Sequence, residues 1–475
     1  MRLNKSLWIL IGIIITATFL RFYHIEQLAV FLSDQASDST KTFGMLRGQF
    51  TLLGPITSVG GFYNGPIVYY LMLPFYWLFK GGMISGTVFQ STLSVLTIPI
   101  LYLLAKKVFN ERVGLISMFL FAISPLMIDY SRAAFNSYPA IFFSTLILYL
   151  LFSVHEKFSK LRMFLLGICL GFIFQMHYFT ISLLFFSFAF PFLDKKISRS
   201  KFYILLSIGF VIGFSPFLIF EFRHQFLNAR LLLNYLQSSN ISTKSLGNVF
   251  IIWPEITAKL ILGYHFYLGL LGFIGILFFS FYSYIQNKKI QSNLRLFSIL
   301  FILVFIVGLV YGGVMQTHYV IAFHTSLIIL AAFIIDRLFE KNNAALLVFC
   351  GLLIFVNASA WNIDKEKHPL QKGLAISDFK YAASIIHKNN KEKYNVGMHA
   401  QGDNRAMPLR YALNLLNETP VHYDNYRDID SLYFIVRKDE PITSLKMWEY
   451  TSFGPSRVVK RWDINYEYFL YKLGK

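Results

Sequence analysis

The segment from residue 31 to residue 38 holds the side chains best suited to acid–base chemistry. It reads Phe31-Leu-Ser-Asp34-Gln-Ala-Ser-Asp38. In a helix, a spacing of four residues puts two side chains one turn apart on a similar face. A carboxylate that is ionised and held in place can accept a proton from a substrate. Asp34 is therefore our candidate general base, and Asp38 is a candidate for orienting Asp34 or an acceptor.

Two other interpretations of these carboxylates stay open. Asp34 precedes a predicted helix from Gln35 to Arg47 and would be a suitable N-cap for it. The helix dipole would then keep Asp34 ionised, so this role is compatible with that of a base. Asp34 and Asp38 could also bind a divalent cation, although two oxygen ligands are few for such an ion. We assign no metal site and no cofactor, with a divalent cation as the alternative.

More polar side chains stand at the ends of long apolar runs. Charged groups at membrane depth are energetically costly, so they usually line a cavity or pair with one another. Taken alone, each is more often an interfacial anchor than a catalyst. Because the topology below places them on one face with Asp34 and Asp38, we predict that these two residues share a single polar site with Arg132, Asn136, His177, Arg223, His224, His318 and Tyr319.

The composition predicts a membrane protein. The 475 residues are 55% hydrophobic, 18% aromatic and 15% charged, whereas soluble domains carry about 25% charged residues. Apolar runs of about 20 residues recur, and each is long enough to span a bilayer. The net charge of +19 lacks any nucleic-acid-binding motif, so we exclude nucleic acid as a partner. Cys169 and Cys350 lie within apolar runs, which argues against a disulfide or a metal site.

We predict an α-helical polytopic protein with eleven spans in a membrane domain formed by residues 1–361. The first apolar run has no cleavage site after it and is predicted to be a retained span. A long outer loop, residues 23–83, follows it. The spans are placed near residues 7–22, 84–105, 113–129, 138–154, 162–176, 178–193, 202–221, 260–286, 296–314, 319–335 and 344–361.

Loop charge orients the chain. If Gly65–Phe79, which contains Pro66 and Pro74, lies in the outer interface without crossing, most basic residues of the membrane domain fall in inner loops, as the positive-inside rule requires. These inner residues are Arg2, Lys5, Lys106, Lys107, Arg112, Lys157, Lys160, Arg162, Lys195, Lys196, Arg199, Lys201, Lys288, Lys289, Arg295, Arg337 and Lys341. The N-terminus is then cytoplasmic and residues 362–475 are extracytoplasmic, as in a multi-pass protein of a bacterial inner membrane.

Residues 362–475 have the pattern of a small α/β domain. Helices are predicted at Ser377–Asn389 and Ala406–Leu416. The strands have β-branched or aromatic residues and are predicted at Tyr394–His399, Ser431–Val436 and Tyr466–Tyr471.

The first outer loop resembles the GT-C superfamily of polyprenyl-phosphate-sugar-dependent glycosyltransferases. The similar bacterial branch includes RgtA/B/C/D-like enzymes, aminoarabinose transferases and protein O-mannosyltransferases. The resemblance covers roughly residues 7–340, with a looser match at Asn404–Leu416. Many relatives have Asp-Glu where this chain has Asp34-Gln35. The resembling segments are Arg21, Asp34-Gln-Ala-Ser-Asp38, Leu53-Gly-Pro, Gly60-Gly-Phe-Tyr-Asn64-Gly-Pro-Ile-Val-Tyr-Tyr70, Ser131-Arg132 with Asn136, Gln175-Met-His177-Tyr, Pro216-Phe and Glu221-Phe-Arg-His224.

The resemblance implies a hexosyl- or pentosyltransferase that inverts the anomeric configuration of the transferred sugar. The donor would be a polyprenyl monophosphate sugar, and the acceptor a hydroxyl of a lipid, glycan or protein. Asp34 would be the base, with Asp38, Asn64 and Asn136 near the acceptor. Cations would absorb the charge of the leaving phosphate. Arg223 is the preferred donor-phosphate residue, and the others are His224, Arg132, His318, Tyr319 and His177.

Two alternatives come from other classes of protein. A lipid or glycolipid flippase often has inverted repeats and polar groups near the bilayer midplane, and this chain has neither pattern. A membrane anchor for residues 362–475 would not need eleven spans or an acidic loop. An enzyme consumes its donor in detergent, whereas a flippase needs two leaflets.

Overall fold

The computed structural model describes residues 5–57, 60–156, 159–193, 199–238, 243–286, 288–311, 313–400 and 402–475. Arg2, Lys157, Lys195 and Lys196 of the predicted inner group lie outside these residues. The described α-helices are α1 Lys5–Phe22, α2 Ile25–Leu28, α3 Ser33–Leu46, α4 Ile67–Leu78, α5 Ser85–Val108, α6 Glu111–Ile123, α7 Pro125–Ser131, α8 Ala140–Glu156, α9 Lys160–Met176, α10 Ile181–Leu193, α11 Arg199–Arg223, α12 Leu227–Ser238, α13 Thr243–Ile261, α14 Phe266–Gln286, α15 Lys288–Tyr311, α16 His324–Leu338, α17 Asn343–Ala358, α18 Ile376–Asn389, α19 Met407–Leu415 and α20 Trp448–Phe453. The strands are β1 Tyr394–Met398, β2 Ser431–Arg437, β3 Arg457–Asp463 and β4 Tyr468–Gly474.

Each predicted span overlaps a helix or a pair of helices, which confirms the helical class. In the described chain, six helices are long and apolar enough to cross a membrane, or seven if the bent pair α6–α7 is one span. Other predicted spans fall on shorter helices, such as α8 and α9 with 17 residues each. At 1.5 Å per residue, about 26 Å falls just short of a hydrocarbon core of about 30 Å. The count of eleven crossings stays a prediction.

The apolar stretch that we predicted to lie in the outer interface forms the short helix α4. Its twelve residues extend about 18 Å, too short for a bilayer of about 30 Å. The predicted span at 260–286 starts too early. Residues 260–261 end α13, a turn follows, and α14 begins at Phe266. Helix α13, in which Pro254 stands inside the helix, is absent from the predicted elements.

Helices α9 and α11 pack with their backbones almost in contact. Gly167 and Gly171 face Gly209 and Gly213, so each helix contributes two glycines four residues apart. A Cβ atom added at Gly167 would lie 2.1 Å from the Leu206 carbonyl oxygen, and one at Gly209 would lie 2.2 Å from that of Phe164. Small residues at this spacing allow membrane helices to approach closely. The glycine pairs therefore fix α11 against α9.

The chain bends by 59° between α6 and α7. Ser124 and Pro125 form the bend, which leaves the last carbonyls of α6 without helical donors. The buried Arg21 supplies them, because its Nη1 donates to the Ala122 oxygen (3.0 Å) and its Nη2 to that of Phe121 (3.0 Å). Trp361 Nε1 donates to the Ile123 oxygen at 2.8 Å. Arg21 therefore stabilises the bend that positions α7.

Residues 394–474 form a four-stranded sheet in the order β1-β2-β4-β3. Strands β1 and β2 are parallel, and β4 is antiparallel to both β2 and β3. Helices α18 and α19 and strands β1, β2 and β4 match the predicted elements, with ends that differ by at most three residues. The missed strand β3 is an edge strand whose residues are mostly exposed. One continuous core runs from the transmembrane helices to α18, α19 and the sheet.

Candidate functional site

Helix α3 presents Asp34 at its first turn. The helix begins at Ser33, after Leu32 as the N-cap, and the Leu32 N–H donates to Gln35 Oε1 at 3.0 Å. The interpretation of Asp34 as N-cap is therefore wrong, because Gln35 reaches back to the helix start and leaves Asp34 in the helix itself. Gln35 thus has a structural role at the start of α3.

Asp38 is buried one turn further along α3. Its Oδ1 accepts a hydrogen bond of 2.6 Å from the Tyr69 hydroxyl on α4, and Ser39 and Tyr76 share another of 2.6 Å. Burial raises the pKa of Asp38 to about 7, although the Tyr69 hydrogen bond and nearby Lys41 act in the opposite direction. These two bonds hold α3 against α4.

Asp34 differs from Asp38 in almost every respect. The residue is exposed, and in the described part of the chain its carboxylate has no hydrogen-bond or ion-pair partner. The surrounding protein removes part of its water shell and raises the pKa of Asp34 above its ordinary value. A free carboxylate with a raised pKa at a fixed helix start is suited to accept a proton.

The C-terminal region holds α3 from the other side. The ring of Tyr411 on α19 packs against Phe31 and Phe43, at centroid distances of 5.6 and 6.4 Å. Its hydroxyl donates to the Gly81 oxygen at 2.6 Å. The Phe31 N–H donates to Gln371 Oε1 at 3.3 Å. The helix that carries Asp34 is therefore clamped between α4 and residues of the C-terminal region.

The segment Tyr63–Pro66 enters α4 through a close backbone contact. The Gly65 N–H donates to the Gln175 oxygen at 3.0 Å, and a Cβ atom at Gly65 would lie 2.3 Å from Gln175 Cγ. Gln175 is itself fixed, since its Nε2 donates to the Gly213 oxygen at 2.7 Å. The glycine contact of α9 and α11 thus positions the residue on which this segment rests. Ser58 and Val59, which precede this segment in the first outer loop, lie outside the described residues.

Tyr63 connects the first loop to two other parts of the site. Its N–H donates to Asn228 Oδ1 at 2.9 Å, and its oxygen accepts from the Tyr178 hydroxyl at 2.5 Å. The next residue, Asn64, is buried, and its Oδ1 has no hydrogen-bond partner among the described residues. Asn64 thus keeps an unpaired buried acceptor where the first loop meets these two segments.

The end of α11 carries the predicted phosphate-binding cations. Glu221 is buried and accepts from the N–H groups of Asn228 (3.2 Å) and Ala229 (3.1 Å), so it caps α12. Arg223 is exposed and has no partner within the described chain. His224 is also exposed, with Nδ1 2.9 Å from the Phe220 oxygen. Arg223 is thus free to contact an anion, and Glu221 is not available to pair with it.

The structure brings together three predicted residues from distant parts of the sequence. The His177 ring lies 5.3 Å from that of His318 and 5.1 Å from that of Tyr319, by centroids. All three are half-buried. Tyr178, next to His177, is the residue that bonds to Tyr63, so this aromatic cluster adjoins the first-loop segment.

Arg132 and Asn136 are occupied by contacts within the protein. Arg132 is fully buried, and its Nη1 and Nη2 donate to the oxygens of Trp361 (2.6 Å) and Leu20 (2.9 Å). Asn136 Nδ2 donates to the Met176 oxygen at 3.0 Å, just before His177. In the described chain no group of three or more His, Cys, Asp or Glu side chains is arranged to hold a metal ion.

The sequence analysis missed Tyr69, Tyr76 and Gln175 as residues that position the site. A signal for the tyrosines was present, since a spacing of seven residues places both on one face of a helix. Their partners Asp38 and Ser39 are also neighbours on α3. Gly167 and Gly171 form a recognised pattern of close helix packing, and Gln175 lies four residues after Gly171.

Comparison with known families gives one partial match. The profile of the dolichyl-phosphate-mannose-protein mannosyltransferase family matches residues 63–220. This part of the chain includes Asn64, Tyr69, Arg132 and His177. A comparison with curated proteins found no match.

Solved structures match over much more of the chain. ArnT from Cupriavidus metallidurans, bound to undecaprenyl phosphate, aligns with 99% of this chain and 98% of its own, with a TM-score of 0.65 and 11% identity. The oligosaccharyltransferase AglB from Archaeoglobus fulgidus, with an inhibitory peptide and a dolichol-phosphate, aligns with 91% of this chain and 69% of its own (TM-score 0.54, 13% identity). The predicted GT-C fold of a multi-pass membrane protein is thereby confirmed.

Proposed function

We propose that the protein is an inverting glycosyltransferase that uses a polyprenyl monophosphate sugar on the outer face of the membrane. The acceptor is a hydroxyl group of a lipid, glycan or protein. The GT-C fold supports this proposal, as do the undecaprenyl phosphate bound to ArnT and the dolichol-phosphate bound to AglB. The observation that carries it is the free carboxylate of Asp34 at the start of a helix held on two sides.

The reaction requires one proton acceptor and one site for a departing phosphate. The acceptor oxygen bonds to the anomeric carbon as the bond from that carbon to the phosphate oxygen breaks, so the configuration inverts. The hydroxyl proton passes to Asp34, and the electron pair of the broken bond leaves on the polyprenyl phosphate. A fixed base of this kind typically contributes 10²–10⁴-fold to the rate.

Arg223 is our candidate for the phosphate. A guanidinium binds phosphate through two parallel hydrogen bonds, and Arg223 makes no competing contact among the described residues. The N–H of Tyr63 in the first loop donates to Asn228 on α12, and this bond links the end of α11 that carries Arg223 to the first loop. We assign His224, His177, His318 and Tyr319 to the surroundings of the donor, and leave out Arg132, whose terminal nitrogens already donate to carbonyls.

Asp38, Asn64 and Asn136 support the acceptor side. Asp38 holds α3 through Tyr69, and Asn136 holds the backbone before His177. Asn64 is the one of the three with a buried unpaired acceptor atom. A divalent cation has no part in this proposal, since Tyr69 already occupies one oxygen of Asp38 and the pair offers few ligands.

The test of function is turnover by the purified full-length protein in detergent. It should consume a polyprenyl monophosphate sugar in the presence of an acceptor, release polyprenyl phosphate and form a product of inverted anomeric configuration. Comparing the polyprenyl-linked glycans of a deletion strain with those of its parent would supply the sugar to use. Translocation across intact vesicles without turnover in detergent would support a flippase and overturn the proposal.

Topology can be tested separately. Ser377 is exposed on α18, in the region that we place outside, and is a suitable position for a cysteine. On intact cells, Ser377→Cys should react with a membrane-impermeant thiol reagent, and the parent protein with Cys169 and Cys350 should serve as background. Labelling only after lysis would put the C-terminal region inside and reject an outward site.

A further inference from the structure

A cavity of about 550 Å³ lies in the C-terminal region, apart from the site around Asp34. It opens beyond the carboxyl ends of the parallel strands β1 and β2. His399 follows β1 directly, and Arg437 ends β2. Ligands of open α/β sheets bind at this edge, and the volume is within the usual range of about 300–1,000 Å³ for small-molecule sites.

The charges that line the cavity balance one another. Arg437 donates to both oxygens of Asp439, through Nε at 3.0 Å and Nη2 at 2.8 Å. His399 Nε2 lies 3.6 Å from Glu440 Oε1. Lys372 adds a second cation, so two cations face two carboxylates and a histidine. Such a lining gives no preference for a phosphate or for an ammonium group.

Two donors in the cavity remain without protein partners. Among the described residues, neither the Lys372 ammonium nor the Asn404 amide makes a hydrogen bond or ion pair, and both line the cavity. The carboxylates of Asp439 and Glu440 keep free acceptor positions. Ala400, Pro441 and Tyr468 supply apolar surface. Hydroxyl groups both donate and accept, so a neutral ligand rich in hydroxyls satisfies this mixture best.

The cavity is joined to the helix that carries Asp34. Its lining residues Gly402 and Asn404 precede α19, and Asp403 between them accepts from the Met407 N–H at 2.8 Å and so fixes the helix start. One turn later Tyr411 packs against Phe31 and Phe43 of the first loop. A ligand in the cavity thus contacts the segment that leads into the helix that clamps α3.

We propose that this cavity binds a neutral glycan portion of the acceptor. The acceptor assignment rests on the proposed transfer reaction, whereas binding of a neutral saccharide does not. The cavity then selects acceptors by a sugar unit remote from the reacting hydroxyl. It would make a glycan, or a glycosylated lipid, the preferred acceptor class over an unmodified protein.

The experiment uses the full-length Asp34→Asn protein in detergent, so that no turnover confuses binding. A panel of methyl glycosides of neutral hexoses and short neutral oligosaccharides is screened by saturation-transfer difference NMR, with inorganic phosphate as a separate probe. At least one neutral saccharide should bind. The double variant Asn404→Ala, Glu440→Gln should weaken that binding about tenfold or more, since it removes one donor and one charged acceptor.

The matched control is Asn390→Ala, at the C-terminal end of α18 before β1, which should bind like the parent. Thermal unfolding should show that both variants remain folded. No binding by any neutral saccharide, binding of phosphate alone, or equal binding by the double variant would overturn the proposal. If saccharide binding follows the variants while wild-type protein transfers no sugar, the proposed function fails and the binding site stands.

Discussion

Arg132 and Arg223 both stand at the end of a helix, yet the protein treats them in opposite ways. Arg132 is fully buried, and its terminal nitrogens donate to carbonyls on two other segments. Arg223 is exposed and contacts none of the described residues through a hydrogen bond or an ion pair. One arginine thus stabilises the fold at the end of α7, and the other is available to bind a ligand at the end of α11.

The two carboxylates of α3 repeat this contrast one helical turn apart. Asp38 is buried and bonded to Tyr69, whereas Asp34 is exposed and unpaired. In both pairs the side chain that is already satisfied holds structure, and the free one is placed where a substrate can reach it. Substitutions should therefore separate into two classes, with lost chemistry for the free residues and lost stability for the bonded ones.

The largest effect on chemistry is expected at Asp34. Asp34→Asn should lower turnover by at least about a hundredfold, because the amide cannot accept a proton. Stability and donor binding should stay close to those of the parent, since this carboxylate makes no bond to the described protein. Turnover is measured with the donor in detergent, and stability by thermal unfolding.

Turnover like that of the wild type would reject Asp34 as the base. An equal loss of turnover in Asp34→Asn and Asp38→Asn, restored by excess divalent cation, would favour a metal site formed by the two carboxylates.

Arg223→Ala should have the next largest effect. Loss of a phosphate contact is expected to remove about 2–4 kcal/mol of transition-state stabilisation, by analogy with the removal of an oxyanion donor. Donor use should suffer more than acceptor use, and unfolding should not change. Arg230→Ala, an exposed arginine on α12, is the matched control. Unchanged kinetics in Arg223→Ala would remove this residue from the site.

Arg132→Met should act on stability and not directly on the donor. It leaves the Leu20 and Trp361 oxygens without their donors, and each buried unsatisfied group costs about 1–3 kcal/mol. We expect a lower thermal midpoint and, in the fraction that stays folded, a donor KM close to the parent value. A selective rise in donor KM at unchanged stability would return Arg132 to the phosphate site.

The smallest effect is expected for Asp38→Asn, which retains an acceptor for the Tyr69 hydroxyl. Turnover should fall less than tenfold, well below the loss in Asp34→Asn. Burial raises the pKa of Asp38 to about 7, so the folded state takes up a proton that the unfolded state has released. The contribution of Asp38 to the free energy of unfolding is therefore lost as pH rises from about 4 to 7. The Asp38→Asn variant should not show this decrease.

Activity supplies a second pH test. The pKa of Asp34 is raised, so transfer should fall as pH drops through it, at a higher pH than for an ordinary carboxylate. Burial is the cause of this shift, and Asp38, with a pKa of about 7, is already protonated and neutral at the acid limb, so Asp38→Asn should leave the limb in place. An acid limb that moves to lower pH in Asp38→Asn would show that Asp38 carries a charge there.

Residue type and local spacing predicted the helices and the small C-terminal sheet. They also placed Asp34 and Asp38 one turn apart, and they grouped His177, His318 and Tyr319 with several other residues in one polar site. These features depend on short-range patterns or on the ends of long apolar runs. Strand β3 was not predicted, because an exposed edge strand with several charged residues lacks the alternation of apolar and polar residues that indicates a strand.

The state of each polar group was not predictable, because it depends on partners far along the chain. Arg132 was grouped with the phosphate-binding cations, but its partners include Trp361, 229 residues away. Asp34 was a plausible N-cap until Gln35 was seen to bond back to Leu32. Tyr69 lies 31 residues from Asp38, and only the packing of α4 on α3 brings them together.

The clamp on α3 has a consequence for biosynthesis. The ribosome makes Asp34 before it makes Gln371 and Tyr411, which hold the helix of Asp34, and Gln371 follows its partner Phe31 by 340 residues. The acidic helix of the nascent chain is therefore complete long before it has its final support. Chains released before α19 would lack the Tyr411 contact, so translation must pass α19 before the clamp on α3 can form.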